Sequence, residues 1–238
     1  MTETELRQKV VSTALAWLGT REYSAKHQEM LDIYNAQRPL PRGTRMLASW
    51  PWCAAFVSTV SLQCGLRDIM PTECGCPGMV RLYQEIGRWA EDDAYIPSPG
   101  DVIFYDWQDT GYGDNAGQPD HVGIVTACDG QTMTIIEGNC DNAVKTRSLA
   151  VNARFIRGYG VPDFASKADG AEPQPEPAPE PTPEPEKPAE EFTVDPFITK
   201  TAREVINGKW GNGEERKQKL GAWFYDLVQG EVNRILGV

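Results

Sequence analysis

The chain has 238 residues, of which 40% are hydrophobic, enough for one medium-sized domain and a smaller second unit. Its formal net charge of −11 argues against nucleic-acid binding, which requires a basic surface, and it disfavours adsorption to an anionic membrane. The N-terminus shows no basic segment followed by an apolar run, and no stretch approaches the roughly 18 apolar residues of a membrane span. We therefore expect a protein that is made in the cytoplasm without a signal peptide and forms no stable membrane association.

The first part of the chain has the apolar spacing of helices. In the first segment, apolar side chains recur three or four residues apart, at Leu6, Val10, Val11, Ala14, Leu15 and Leu18. Further helices are predicted over about 24–35, 52–64 and 77–89, and Gly65 is placed as the C-cap of the third helix.

From residue 99 onward the pattern changes to short runs rich in β-branched and aromatic residues. These runs are separated by Gly, Asp and Asn turns, which predicts strands over 101–107, 121–127, 132–139 and 154–161. Helices followed by antiparallel strands are typical of an α+β fold.

The plainest domain boundary is an acidic, proline-rich tract at residues 171–191, which carries seven acids and one base. Proline lacks a backbone donor and the tract has few apolar side chains, so it is predicted to run as an extended polyproline II spacer. We therefore predict a first domain at 1–165, a linker at 166–191 and a second domain at 192–238.

The residues after the linker are predicted to be helical again. Asp195 is placed as an N-cap and Pro196 as the first helical residue, while Gly208 ends this helix. A Gly-Asn-Gly turn at 211–213 then precedes two further helices, over 214–220 and 225–236. Three short helices bury only a modest core, which favours a binding module over an enzyme.

The chain has only two histidines, which narrows the search for catalytic residues. His121 lies where a polar turn enters an apolar strand, a position from which a side chain can face a cleft. His27 lies among charged residues, and we predict that it is solvated on a helix surface.

The six cysteines are too few for a disulfide-rich scaffold in a chain of this length, and they lack the paired spacing of a zinc site. Cys53 is predicted in the first turn of a helix, where backbone amides and the helix dipole stabilise a thiolate, the nucleophilic form. The remaining cysteines are predicted to be reduced structural residues: Cys64, Cys74, Cys76, Cys128 and Cys140.

Glu137 and Asn139 lie two residues apart in a predicted strand, so we expect them on the same face of the sheet. An acid or amide beside His121 would hold the imidazole in the useful tautomer, although both side chains could instead face solvent at a strand end. A helix-borne cysteine, followed by a histidine and then an acid or amide on the sheet, is the chain order of papain-like enzymes.

Four segments together resemble a known family. They are WCAAFV at 52–57, PGDVIF at 99–104, DHVGIV at 120–125 and IEGN at 136–139. They look like the successive motifs of the CHAP family, the cysteine, histidine-dependent amidohydrolases/peptidases of phage lysins and bacterial autolysins. The resemblance extends over roughly residues 6–163 and implies a papain-like fold and cleavage of amide bonds in peptidoglycan.

The resemblance also implies roles for individual residues. Carried over by position, Cys53 is the nucleophile, His121 the general base and Glu137 the orienting carboxylate, with Asn139 in support.

The segment just before the cysteine carries two further expectations. Trp52, the first residue of the cysteine motif, and Trp50, two residues before it, are assigned to substrate binding. Some members of the family carry an Asp-rich calcium loop at this point, but residues 42–52 contain no acid. We therefore expect no metal, no calcium dependence and no other cofactor.

The C-terminal run AREVINGKWGNGEERKQKL at 202–220 resembles one copy of the Cpl-seven (CW-seven) wall-binding repeat of phage lysins. The resemblance implies a three-helix bundle that binds muropeptide, with bacterial peptidoglycan as the partner. Trp210 and Asn212 are assigned to sugar–peptide binding, and Arg203 and Arg216 to the carboxylates of the stem peptide. Trp210 could equally be a core residue, and the arginines could be only solubilising.

These features together predict an endolysin-type peptidoglycan hydrolase that reaches the wall after membrane permeabilisation. The scissile bond stays open between the N-acetylmuramoyl-L-alanine amide and a peptide bond. One alternative is an NlpC/P60-type γ-glutamyl endopeptidase, which usually uses a second histidine as orienter, and no histidine follows His121. The other alternative is a non-catalytic wall-binding protein with a degenerate papain fold.

Overall fold

The computed structural model describes residues 1–92, 95–108, 117–169, 196–220 and 222–236. The chain divides into two compact units, residues 1–174 and 175–238. Most of the predicted linker at 166–191 lies outside the described residues, as does the predicted N-cap Asp195. The predicted domain boundaries therefore stay predictions.

The first unit begins with helices that the sequence caps locally. They are α1 (Glu3–Leu15), α2 (Ala25–Ala36), α3 (Cys53–Cys64) and α4 (Cys76–Glu85), with short 3₁₀ turns at Pro41–Gly43 and Phe164–Lys167. Thr2 and Glu5 cap α1 reciprocally, each side chain accepting a hydrogen bond from the other's backbone amide. Helix α3 ends at Gly65 with φ 71°, the left-handed C-cap that the sequence predicted.

Among the described residues, six strands form one antiparallel sheet. They are β1 (Trp89–Ala90), β2 (Val102–Tyr105), β3 (His121–Cys128), β4 (Thr132–Cys140), β5 (Ala143–Ala150) and β6 (Ile156–Gly160). Their order across the sheet is β1-β6-β2-β3-β4-β5. The predicted α+β class is confirmed, but β1 and β5 were not predicted. The helix predicted over 77–89 ends at Glu85, and Trp89 begins β1 instead. Strand β5 follows β4 through a tight turn at Asp141 and Asn142, both of which have positive φ.

The helices pack on one face of the sheet and enclose most of the core. Phe56 of α3 is fully buried there with Val122 of β3 and Ile136 of β4. The contact is close because β4 has a glycine where α3 crosses it. A Cβ at Gly138 would lie 2.8 Å from Phe56 Cγ. This packing fixes the start of α3 relative to β3 and β4.

His27 is a core residue, and the prediction of a solvated helix surface was wrong. Its exposed fraction is 0%, its ring lies 4.7 Å from that of Trp52, and its Nδ1 accepts a hydrogen bond from the Tyr23 amide. Burial lowers the pKa of His27, so the imidazole is neutral. The charged neighbours on α2 hid a buried stripe, which continues from His27 to Met30, Leu31 and Tyr34.

The described part of the second unit has three helices, α5 (Pro196–Ile206), α6 (Gly213–Leu220) and α7 (Ala222–Leu236). Its small core consists of Ala202, Val205, Leu220, Val228 and Val232. None of the described helices in either unit is long and apolar enough to cross a membrane.

Candidate active site

Cys53 is the first residue of α3, as its sequence position predicted. The residue before it, Trp52, is the N-cap, and an indole has no acceptor with which to cap the first amides. The Ala54 amide instead donates a hydrogen bond to the Cys53 sulfur. Cys53 is 5% exposed, so its sulfur lies in a largely water-excluded place at the positive end of the helix.

His121 is the first residue of β3, directly opposite Tyr105 of β2. Its ring stacks on the Tyr105 ring at a centroid distance of 5.7 Å and an interplanar angle of 28°. Nε2 lies 3.3 Å from Glu137 Oε2, and the ring also forms a hydrogen bond with the Cys53 sulfur. Since Nε2 faces the glutamate, Nδ1 is the nitrogen left for the sulfur.

Glu137 is fully buried on β4 and is held by an arginine from the neighbouring strand. Arg147 of β5 donates from Nε to Oε1 at 2.8 Å and from Nη2 to Oε2 at 3.0 Å. The guanidinium also lies over the Trp107 ring, 4.9 Å from its centroid. The carboxylate is therefore fixed on one side by Arg147 and presents its other side to His121.

Arg147 is the residue of this arrangement that the sequence analysis missed. Its strand, β5, was not predicted, so nothing placed the arginine near Glu137, whose direct partner on β5 is Lys145, two residues before Arg147. The signal was present in the Asp141-Asn142 turn, which is typical of a tight hairpin between two strands.

The charges of the three predicted residues reinforce one another. A hydrogen bond from Cys76, and then one from His121, hold the pKa of Cys53 well below its ordinary value. Burial disfavours the charged form of His121, but hydrogen bonds to Cys53 and Glu137 outweigh it and raise its pKa to about 10. Burial likewise opposes ionisation of Glu137, yet hydrogen bonds from His121 and Arg147 lower its pKa to about 2. At neutral pH the group is a thiolate, an imidazolium and a carboxylate.

Cys76 also lies at this site, although the sequence predicted only a structural role for it. It is the first residue of α4, and its sulfur lies 3.7 Å from the Cys53 sulfur. The hydrogen bond to Cys53, together with burial, raises the pKa of Cys76 well above its ordinary value. One thiolate and one protonated thiol therefore face each other.

The two tryptophans assigned to substrate binding differ in burial. Trp52 is fully buried, so a direct contact with substrate is excluded, and this prediction is corrected. Trp52 is the N-cap of α3, and its side chain lies in the core, where the indole packs against His27. Trp50 is half-buried against the edge of the same core, and its role in substrate binding stays a prediction.

Asn139 occupies an irregular position beyond Glu137. The pairing of β4 with β5 shifts register between Glu137 and Cys140, and Asn139 has φ 57°. This bulge interrupts the alternation that was expected to place Asn139 beside Glu137. Within the described residues, its half-buried side chain forms no hydrogen bond to His121 or Glu137. Its supporting role stays a prediction.

The residues assigned to wall binding surround the turn between α5 and α6. Trp210 is half-buried against the small core, and its Nε1 donates to Glu204 at 3.2 Å. Arg216 donates to the Gly211 carbonyl and to Asn212 Oδ1, so it fastens the turn. Asn212 and Arg203 are exposed. The structure thus gives Trp210 and Arg216 structural contacts and leaves their roles in binding as predictions.

A metal centre needs several acidic, histidine or cysteine side chains close together. Over the part of the chain that the structure describes, no three such residues are grouped so that they could hold a metal ion. Metal independence remains a prediction.

The helices, the antiparallel sheet and the cysteine at the start of α3 facing a histidine at the mouth of β3 together define a papain-like fold. Residues 45–139 match the family model of the CHAP domain, and residues 200–236 match that of the CW_7 repeat. The chain therefore carries a CHAP domain followed by a C-terminal CW_7 repeat, as its motifs predicted. The first implies a hydrolase acting on peptidoglycan, and the second implies binding to the cell wall. Searches among curated proteins and solved structures found no match.

Proposed function

We propose that this protein cleaves an amide bond of peptidoglycan with Cys53 as its nucleophile and that the C-terminal unit holds it on the wall. The observation that carries the proposal is the chain of contacts from Cys53 to His121 and on to Glu137, which lies 3.3 Å from the histidine. It matches the requirement of cysteine hydrolases for a thiolate, a proton donor and a group that orients the donor.

The reaction follows from the charge state of the site. The Cys53 thiolate attacks the carbonyl carbon of the amide, and the imidazolium of His121 gives its proton to the leaving amine. The backbone amide of Cys53, at the start of α3, helps to stabilise the negative charge on the carbonyl oxygen. The resulting thioester is attacked by water, with neutral His121 accepting the proton, and the carboxylic acid product leaves.

Glu137 does not take part in proton transfer in this mechanism. Its pKa of about 2 keeps it ionised, so it holds the His121 ring in place and stabilises the imidazolium. Arg147 in turn prevents the buried carboxylate from turning away. A carboxylate in this position supports a CHAP-type mechanism over the NlpC/P60 alternative, which usually uses a histidine.

Two features of the second unit support targeting to the wall: its match to the CW_7 repeat and the exposure of one of its turns. Its small core leaves the turn at 211–213 at the surface, where Asn212 and the neighbouring backbone are accessible to a sugar–peptide. We extend the proposal to an endolysin role, in which the enzyme reaches the wall once the membrane has been permeabilised. The proposal covers both an amidase and an endopeptidase.

The test compares variants of the two reacting residues with a control variant on the helix that carries Cys53. Cys53→Ser and His121→Ala should each abolish turbidity loss on susceptible walls, because they remove the nucleophile and the proton donor. The control is Cys64→Ser, which changes a buried thiol at the far end of α3 that donates a hydrogen bond to Thr13. This variant should retain lysis. Persistent lysis without Cys53 or His121 would end the catalytic assignment, whereas mass spectrometry of the products from the active protein identifies the bond that is cut.

A further inference from the structure

We propose that Cys76 is a positioning residue for the nucleophile: its thiol donates a hydrogen bond to the Cys53 sulfur and holds that sulfur in the ionised form. The inference rests on the proposed function, since it takes Cys53 as the nucleophile. It adds to the site a residue that lies outside the motifs of the sequence.

The geometry brings two helix starts together. Cys53 is the first residue of α3 and Cys76 the first residue of α4, and both are 5% exposed. Their sulfurs lie 3.7 Å apart, within hydrogen-bonding range for sulfur. Because each cysteine begins its helix, the positive ends of both helices lie beside the sulfur pair, where they favour one negative charge.

The surroundings decide which sulfur carries that charge. Cys53 is hydrogen-bonded to His121, which accepts its proton, and Glu137 behind the ring stabilises the imidazolium. Among the described residues, the charged group that acts on Cys76 besides Cys53 is Asp120, and a carboxylate opposes a second negative charge. Burial disfavours two thiolates side by side even more strongly. Cys53 therefore ionises and Cys76 keeps its proton.

A protonated thiol beside a thiolate can only be the donor of the pair. Hydrogen bonds to an ionised group are stronger than those between neutral groups. The opposite pKa directions of Cys53 and Cys76 agree with this assignment. In the reaction, the negative charge moves from sulfur to the carbonyl oxygen and the hydrogen bond weakens, but no bond of Cys76 is made or broken.

The experiment measures the ionisation of Cys53 in the full-length, reduced protein. Iodoacetamide reacts with the thiolate, and mass spectrometry of the Cys53 peptide separates its alkylation from that of the other cysteines. In Cys76→Ala, the acidic limb of the rate against pH should move upward by about one pH unit, the effect of losing a hydrogen bond to a charged group. Cys76→Ser keeps a hydroxyl donor and should stay near the wild-type profile.

A neighbouring thiol supplies the matched control. Cys74 is also buried, but it accepts a hydrogen bond from Arg42 instead of facing Cys53, so Cys74→Ala should leave the profile unchanged. If Cys76→Ala does not fold, Cys76→Val takes its place, because it fills the space without supplying a donor.

Three results would overturn the proposal: an unshifted profile in the donor-free variant, an equal shift in Cys76→Ser, or an equal shift in Cys74→Ala. The last two would indicate looser packing instead of a lost hydrogen bond. Failure of the proposed function is a separate result, because it would appear as wall hydrolysis that survives Cys53→Ser.

Discussion

Each unit of the chain buries a glutamate against an arginine, but the two glutamates serve different ends. Glu137 is fully buried and accepts two hydrogen bonds from Arg147, while Glu231 is 3% exposed and accepts two from Arg234. The difference is the third group, because Glu137 also contacts the imidazole of His121, whereas Glu231 accepts a hydrogen bond from the hydroxyl of Thr199. A buried carboxylate–arginine pair by itself fixes a structure. It supports catalysis where it also holds a group that can carry a proton.

Of the changes that test this comparison, breaking the Glu137–Arg147 pair should have the largest effect. Arg147→Ala removes two hydrogen bonds from the buried Glu137, so the carboxylate loses its fixed orientation beside His121. We expect wall hydrolysis to fall roughly 10²-fold, the low end of what positioned acid–base catalysis contributes. Arg147→Lys keeps the positive charge but loses the bidentate geometry, so its rate of wall hydrolysis should lie between those of the wild type and Arg147→Ala. Turbidity loss at constant protein concentration measures both.

The matched change in the second unit sharpens the comparison. Arg234→Ala removes the arginine from Glu231 and should leave hydrolysis of small soluble muropeptides at the wild-type rate. Similar losses from Arg147→Ala and Arg234→Ala on that substrate would contradict the distinction between the two glutamates.

Removing the second unit tests the division of labour directly. A chain of residues 1–174 keeps the sheet, the helices and the whole Cys53–His121–Glu137 group. Its activity on intact walls should fall by about tenfold or more, because tethering no longer raises the local substrate concentration. Its activity on soluble muropeptides should be nearly unchanged. Equal losses on both substrates would mean that the tail supports the catalytic fold.

Substitution of His27 should lower the stability of the fold and leave wall hydrolysis near normal, because the residue lies in the core and outside the Cys53–His121–Glu137 group. His27→Ala opens a cavity beside Trp52, and we expect the free energy of unfolding in urea to fall by about 2–4 kcal/mol. Gln28→Ala, on the exposed side of α2, is the control and should change it little.

The pH dependence of stability gives a second readout for His27. Because its pKa is lowered in the folded chain, the stability is complete above the ordinary pKa of histidine and declines as the pH falls below it. The His27→Ala variant should lose that part of the acid dependence. An unchanged acid dependence would show that His27 is not held neutral by the fold.

Chelation should have the smallest effect of all. No acid precedes the cysteine within residues 42–52, so EDTA should leave the rate of wall hydrolysis unchanged. A large loss that calcium or zinc restores would refute the metal-free mechanism.

Local signals explain why much of the site was predictable. A helix start and a strand mouth are encoded by the residues around them, which placed Cys53 and His121 in their elements before any contact was known. Cys76 reaches the site only through the packing of two helices, 23 residues from Cys53, and Arg147 reaches it through the β4–β5 hairpin, whose second strand was not predicted.

The wrong prediction for His27 and the open one for Asn139 also have physical causes. His27 was misplaced because its charged neighbours outweighed the stripe of Met30, Leu31 and Tyr34 that follows it on the same face of α2. The predicted face of Asn139 rested on the period-2 alternation of a regular strand, and β4 bulges at that point, so its role stays a prediction.

Helix α3 can pack closely on β4 because residue 138 is a glycine and has no Cβ. A Cβ at Gly138 would come within 2.8 Å of Phe56 Cγ and 3.0 Å of Trp52 Cζ3, in the body of both side chains. Any larger residue would lift the helix that carries Cys53 away from the strand that carries Glu137. For an engineer who grafts this site onto another scaffold, Gly138 therefore belongs to the minimal template, since it sets the tolerance to which the reacting groups are held.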